Sequence, residues 1–183
     1  FPTSGIRAEL KQEFAGVGGD VSFLRTSGDA RFYHEVLPDY VALLRFQAGN
    51  VSSWDGQNLR FNDLYQGGPN LVRGFRQNGF GPRDVTRWTT QDAIGGANFW
   101  AASVELYIPL HFIPKDLGIR ASIFADAGSV WDYKGPTSVP GETMRFEDSK
   151  LIRTSVGAGI IWDSPFGPLR VDYAIPINKE SYD

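Results

Sequence analysis

The sequence predicts an all-β fold, an antiparallel transmembrane β-barrel of which this chain holds only a part. Apolar and polar residues alternate over segments of about ten residues, the links between segments alternate between short and long, and no segment has a clear helical period. Seven segments alternate in this way. Because single-chain bacterial barrels have even numbers of strands, the odd count indicates that strands are missing.

The three strands of the first half are less regular than those of the second half. In the first of them Ile6, Leu10 and Phe14 share one face, while Arg7 and Glu9 lie on the opposite face. The middle strand is the longest of the three. The three predicted strands cover residues 6–14, 20–36 and 39–49.

Alternation is clearest in the four strands of the second half. In the last of them Leu169, Val171 and Tyr173 share an apolar face, while Arg170 and Asp172 point the other way. In a barrel the apolar face meets lipid and the polar face meets the lumen. The four predicted strands cover residues 98–110, 118–127, 151–162 and 167–177.

The links place short turns at one end of the strands and long loops at the other, as in outer-membrane barrels. Short links are predicted at residues 37–38, 111–117 and 164–167, and long links at about 50–95 and 133–149. The loop segments 54–62 and 134–148 are expected to be exposed tips. Four aromatic residues near strand ends suit an interfacial girdle, namely Tyr107, Trp131, Trp162 and Tyr173. A soluble antiparallel sandwich also alternates and is the alternative fold.

Composition argues against several other classes of protein. The net charge is only −3 without a basic stripe, so nucleic acid is not an expected partner. The chain has no cysteine, which excludes a disulfide framework and cysteine metal sites, and we predict neither a cofactor nor a metal.

The sequence does not indicate an enzyme. His34 and His111 are the only histidines, and neither belongs to a G-x-S-x-G or H-E-x-x-H motif. Gly157 and Gly159 lie within a strand, so they do not form a nucleotide-binding loop. We expect these glycines to let an in-folded loop approach the barrel wall closely.

The stretch from Gly67 to Phe75 lies in the longest loop but has the composition of a buried segment. Its central Arg73 stands between apolar residues and therefore needs an acidic partner and an enclosure. Alternation places Glu105 and Asp126 on the polar faces of neighbouring strands, where an arginine could bridge them. A solvated Arg73 in an open loop is the alternative.

At these residues the chain resembles a known family. Gly67-Gly68 followed by Val72-Arg73-Gly74-Phe75 is similar to the signature of the sixth extracellular loop of the BamA family, which comprises outer-membrane assembly and translocation proteins. Four further stretches resemble BamA-type sequences in the same order along the chain. They are residues 1–5 (FPTSG), 103–106 (SVEL), 124–132 (FADAGSVWD) and 164–169 (SPFGPL).

The resemblance implies a barrel of sixteen strands, of which residues 1–183 would be the C-terminal part, holding strands nine to fifteen. The periplasmic POTRA domains, the first eight strands and the final strand would be absent, and the polar residues at both ends also suggest a piece of a longer protein. In such a barrel Arg73, with its neighbours Val72, Gly74 and Phe75, folds into the lumen and contacts acids that match Glu105 and Asp126. These six residues are the predicted structural loop lock.

The implied function is to fold and insert β-barrel proteins into the bacterial outer membrane. The implied partners are unfolded β-barrel clients, accessory assembly lipoproteins and outer-membrane lipid. Two alternatives remain at this point. One is a two-partner secretion pore or related translocation pore of the same superfamily, and the other is a passive porin.

Overall fold

The chain forms one seven-stranded antiparallel sheet and two short two-stranded sheets in a computed structural model that describes residues 2–16, 18, 21–87, 89, 91–139 and 141–183. The strands, in chain order, are β1 (Gly5–Ala15), β2 (Phe23–Leu37), β3 (Tyr40–Ser53), β4 (Arg83–Asp84), β5 (Asn98–Pro109), β6 (Ile119–Trp131), β7 (Ser138–Val139), β8 (Glu142–Thr143), β9 (Phe146–Glu147), β10 (Arg153–Ser164) and β11 (Gly167–Asn178). The seven long strands build the sheet in the order β1-β2-β3-β5-β6-β10-β11. Two short 3-10 turns cover Phe61–Asp63 and Lys115–Leu117.

All seven predicted strands are confirmed, and most of their ends agree within a few residues. Two strands run further than predicted. Strand β3 continues to Ser53, which pairs with Phe23 of β2, and β6 continues through Gly128 to Trp131. A glycine usually interrupts a strand pattern, but Gly128 stays paired with both neighbouring strands. Five residues of the predicted segments lie outside the described residues, namely Phe1, Asp20, Trp88, Thr90 and Pro140.

Side chains alternate between an exposed apolar face and a buried face with many polar groups. On the outer face Val104, Ile123 and Val171 are 56%, 50% and 75% exposed. On the inner face Ser122 and Ser155 are buried, although they are polar. This is the reverse of a soluble sandwich, in which the apolar face is the covered one, and it matches a barrel wall facing lipid.

Of the four aromatic residues predicted to form an interfacial girdle, the structure contradicts Tyr107. Tyr107 lies on the inner face and is buried against Val41, Leu43 and Ile161. Its position is odd-numbered like that of the buried Glu105, so strict alternation already places it inside the wall. An aromatic residue near a strand end can therefore be an interfacial anchor only when its side chain lies on the outer face.

The short links lie at one end of the sheet, as predicted. Pro38 and Asp39 join β2 to β3, and Pro165 and Phe166 join β10 to β11. Lys115, in the turn between β5 and β6, donates to Asp39 Oδ2 at 2.7 Å and so connects two neighbouring turns. The long links between β3 and β5 and between β6 and β10 lie at the other end.

The two long loops pack on each other, although their predicted tips are mostly exposed, as expected. Among the described residues of 54–62 and 134–148, those that are buried are Leu59, Gly135 and Met144. A buried cluster, called here the loop roof, joins them; it contains Phe23, Val51, Leu59, Leu64, Ile94, Ala97, Tyr133 and Met144. Strand β4 of the first loop pairs with β9 of the second. The Leu59 N–H donates to the Lys134 carbonyl at 3.0 Å. Both predicted tip segments therefore contribute to a shared core.

Within the loop roof, Tyr133 provides a test of burial by alkaline titration. Burial raises the pKa of its hydroxyl to about 12 from an ordinary value of about 10. The protonated form is favoured in the folded state, where the hydroxyl donates to the Pro136 carbonyl at 2.8 Å. Its contribution to stability is thus complete below a pH of about 10 and is lost as the pH rises through about 12.

We expect the ultraviolet difference titration of wild-type protein minus Tyr133→Phe to show one tyrosine ionising near pH 12. The subtraction removes the six other tyrosines of the chain. A difference signal that ionises at the ordinary pH of an exposed tyrosine would contradict the buried position.

Strands β1 and β11 form the two edges of the sheet, and neither pairs with another described strand along its outer edge. In lipid, unpaired backbone groups along such edges are costly, and closed barrels remove them. The sheet is therefore a section of a barrel wall. Within the described part of the chain, no helix is long and apolar enough to cross a membrane.

Candidate functional site: the in-folded loop

The loop between β3 and β5 runs onto the inner side of the sheet. Val72 is fully buried, and its Cγ2 would lie only 2.9 Å from a Cβ on Gly128 of β6. Gly74 has a φ of +89°, and a Cβ there would lie 3.2 Å from Ala174 of β11. The loop thus reaches strands on both sides of β10, and glycine provides the clearance at both contacts.

Residues 67–80, called here the loop hairpin, are closed at their base by one antiparallel bridge. Gly67 and Phe80 form an antiparallel bridge, and the Gly79 N–H donates to the Gly67 carbonyl at 2.9 Å. The rings of Phe75 and Phe80 meet edge to face, with centroids 5.1 Å apart. These contacts join the two sides of the hairpin that carries Arg73 to the wall.

Arg73 lies between the two acids that alternation placed on the inner face. Its Nε and Nη2 each donate to a different oxygen of Asp126 at 2.7 Å, and its Nη1 donates to Glu105 Oε2 at 3.0 Å. The Arg73 main-chain N–H also donates to Asp126 Oδ2 at 3.1 Å. Five N–H donors in a fixed planar arrangement suit arginine to two acids at once.

Both acids are almost fully covered. The side chains of Asp126 and Glu105 are 2% and 4% exposed, and that of Arg73 is 17% exposed. The Arg73 Cζ also lies 3.4 Å from the centroid of the Phe124 ring, a favourable cation–π position. Burial alone lowers the pKa of Arg73, but hydrogen bonds and charge from Asp126 and Glu105 outweigh burial and raise it. The guanidinium therefore stays charged.

Sequence reasoning missed four residues that complete this cluster. Ser103 accepts from Arg73 Nη2 at 2.9 Å and donates to Asp126, and Phe124 supplies the ring. Arg170 and Asp172 of β11 lie beside Glu105 and Arg73. The sequence did indicate that Arg170 and Asp172 face the lumen, since alternation placed both on the inner face. What the sequence lacked was the curvature that brings β11 close to β5.

The expectation for the two glycines of β10 was wrong in its detail. A Cβ on Gly157 would meet the Tyr173 carbonyl at 2.3 Å and the Phe124 ring at 2.5 Å. A Cβ on Gly159 would lie 2.0 Å from Asp172 Oδ1. These positions make room for wall side chains that surround Arg73, whereas the loop itself makes its close approaches at Gly128 and Ala174.

A second arginine cluster lies at the long-loop end of the wall. Arg153, at the start of β10, and Asp183 form an ion pair whose two side chains are both 0% exposed, with Nε and Oδ2 2.8 Å apart. Arg153 Cζ lies 5.8 Å from the Phe80 ring centroid of the loop hairpin. Asp183 also accepts from the Glu180 N–H at 2.8 Å. The polar segment after β11 is thus docked beside the hairpin.

The fold and this site define the class of protein: a section of an antiparallel β-barrel of the outer-membrane type, with a long loop held on its inner wall by an arginine. The chain belongs to the Omp85 superfamily, since the model of the Omp85 superfamily domain matches residues 1–183.

Named relatives agree with this membership. The chain is 37% identical over 174 residues to the outer membrane protein assembly factor BamA of Neorickettsia risticii (strain Illinois), covering 94% of this chain and 22% of that protein. It is 32% identical over 197 residues to the sorting and assembly machinery component 50 homolog A of Xenopus laevis, covering 100% of this chain and 39% of that protein. The chain therefore spans well under half the length of these relatives.

A solved structure gives the same result for the fold. The crystal structure of BamA from Haemophilus ducreyi lacking POTRA domains 1–3 superimposes with a TM-score of 0.84 at 31% sequence identity. The match covers 100% of this chain and 37% of that chain. The resemblance to the BamA family and the predicted barrel fold are thus both confirmed.

Proposed function

We propose that this chain is part of the barrel of an outer-membrane protein assembly factor, which folds β-barrel proteins and inserts them into the bacterial outer membrane. The observation that carries the proposal is Arg73, held by Asp126 and Glu105 against the inner wall within a sequence similar to BamA throughout. The names of the BamA relatives from Neorickettsia risticii and Neisseria meningitidis support the role.

Strand addition is the physical basis of the proposed activity. A strand edge carries unpaired N–H and C=O groups that can template another strand. A barrel with one weakly closed seam would present such an edge to an unfolded client within the membrane. Unfolded β-barrel proteins, accessory assembly lipoproteins and outer-membrane lipid are the partners we propose for the whole protein.

The proposed role of Arg73, Glu105 and Asp126 is structural, and that of Val72, Gly74 and Phe75 is to seat the loop around the arginine. The lock keeps the hairpin in the lumen and holds the wall in one shape while clients engage elsewhere. We propose no bond-making chemistry for this barrel. Consistent with that proposal, His34 stacks on Phe32 of its own strand, and His111 lies beside the Tyr40 ring.

Reconstitution tests this function. The full-length protein, with its accessory subunits, is placed in lipid vesicles, and the folding of a denatured β-barrel client is followed by its heat-dependent migration in gels. We expect client folding well above that in empty vesicles, and a large loss in Arg73→Ala. Arg76→Ala is the matched control, because Arg76 is an exposed residue of the same loop.

Two outcomes would overturn the proposal. Export of a dedicated partner without any effect on general client folding would indicate a secretion pore. Ion conductance without client folding or export would indicate a passive porin.

A further inference from the structure

Two arginines from distant parts of the chain share Glu105. Arg73 of the loop bonds Oε2, and Arg170 of β11 donates its Nη2 to Oε1 at 2.5 Å. Asp172 accepts from Arg170 Nε at 2.7 Å and lies 3.8 Å from Arg73 Nη1. The four side chains thus form a closed ring of alternating charge, in which each Glu105 oxygen faces one arginine.

Arg170 and Glu105 are far apart along the sheet. Three steps separate their strands, from β5 through β6 and β10 to β11. The register runs from Glu105 to Phe124, to Gly157 and to Ala174, which is four residues from Arg170. On a flat sheet the two residues would lie about 14 Å apart across the strands and about 13 Å apart along them. Their side chains meet because the sheet curves around the lumen.

We propose that Arg170 is a positioning residue that fixes the curvature of the wall between β5 and β11, and thereby shapes the site that receives Arg73. The inference rests on the proposed lock role of Arg73. The Arg170–Glu105 hydrogen bond, called here the chord, joins β11 to β5 directly across the inner side of the curved sheet. Flattening the sheet would stretch this bond. Without the chord, β11 remains joined to β5 by the intervening strands and by the in-folded loop, whose Arg73 bonds Glu105 and lies 3.8 Å from Asp172.

The groups around Arg170 orient its side chain and shield its bond to Glu105. The Asp172 carboxylate that orients Arg170 occupies the space above Gly159, where a Cβ would lie 2.0 Å from Oδ1. Glu105 is 4% exposed, so its bond to Arg170 is shielded from bulk water on the acid's side. Such shielded, charge-assisted bonds are stronger than exposed ones.

The chain offers a closely matched control in Arg31. Arg31 and Arg170 are each 33% exposed, and each pairs with an aspartate two residues away on its own strand, Asp29 and Asp172. Asp29 is also bonded by Arg45 of the adjacent strand β3. The Arg31 cluster therefore resembles the Arg170 cluster in composition, but it joins neighbouring strands and forms no chord.

The test is a distance measurement between spin labels on the full-length protein in lipid nanodiscs. Val104→Cys on β5 and Val171→Cys on β11 place both labels on the exposed outer face. These 183 residues contain no cysteine, and any cysteine elsewhere in the full-length protein is first replaced by serine. We expect Arg170→Gln to lengthen the mean distance between the labels and to broaden its distribution. Arg31→Gln is expected to leave both unchanged.

A conservative variant keeps the test decisive if Arg170→Gln does not fold. Arg170→Lys has one ammonium group in place of the planar guanidinium and cannot reproduce both bonds in the same geometry. We expect it to give an intermediate distance. An unchanged distance in both Arg170 variants, or an equal shift in Arg31→Gln, would overturn the role of Arg170.

Client folding, measured on the same preparations, separates this inference from the proposed function. If the label distance shifts in Arg170→Gln but the wild-type protein folds no client, the role of Arg170 is supported and the assembly role is overturned. Normal client folding by the wild-type protein, with no shift of the label distance in Arg170→Gln, would support the assembly role and overturn the role of Arg170.

Discussion

Arg73→Ala is expected to lower the free energy of unfolding of the full-length barrel by about 3–5 kcal/mol, the range for removing one partner of a buried ion pair. The loss has two sources. The favourable bonds to Asp126 and Glu105 disappear, and the two acids remain buried on one side of the wall. Arg170 still faces Glu105, but Asp126 loses its bidentate partner.

Urea unfolding in detergent micelles, followed by tryptophan fluorescence, measures this loss. Arg73→Lys should recover only part of it, because a lysine ammonium cannot bond both oxygens of Asp126 and Glu105 in the geometry of the planar fork. Arg76→Ala should have little effect. A wild-type midpoint in Arg73→Ala would mean that the loop does not depend on this arginine.

Gly67→Ala is expected to destabilise the loop hairpin by about 1–3 kcal/mol, the usual cost of forcing extra atoms into a packed site. A Cβ at this position would lie 2.2 Å from the Phe80 carbonyl oxygen, which is main chain and cannot rotate away. Relief requires the two sides of the hairpin to separate, which would move Arg73 relative to the wall.

Proteolysis of folded protein in micelles detects this opening as faster cleavage within residues 67–80. Gly28→Ala in β2 is the matched control, since the closest atom to a Cβ there is the Glu9 carbonyl oxygen at an ordinary 3.8 Å. Equal cleavage rates in wild type and Gly67→Ala would show that the hairpin tolerates the added methyl group, contrary to the packing described.

Strand positions could be predicted from the sequence because each strand carries its own two-residue period. In β11, for example, the sequence from Leu169 to Tyr173 is sufficient to assign an outer face and an inner face. The same arithmetic placed Glu105 and Asp126 on the inner faces of neighbouring strands, and the structure sets Asp126 opposite Ser103, two residues from Glu105. The partner Arg73 was recognisable because a charged residue between apolar neighbours in a glycine-rich loop requires an enclosure.

Contacts that depend on the curvature of the sheet could not be predicted in this way. The period gives the face of Arg170 but not its distance from Glu105, which is set by three intervening strands. The loop roof was missed for a related reason. Leu59 and Met144 stand in irregular segments with no period, and both are buried in a cluster that joins residues of the two loops and of β2 and β3.

Because β4 and β9 pair across the two long loops, the surface presented at that end of the barrel is a composite of both loops. An epitope tag or foreign peptide inserted at either strand would break the other loop's contacts as well as its own. The exposed run from Asp55 to Asn58 contributes no side chain to the roof cluster. It is the place to display a foreign sequence while both loops keep their native conformation.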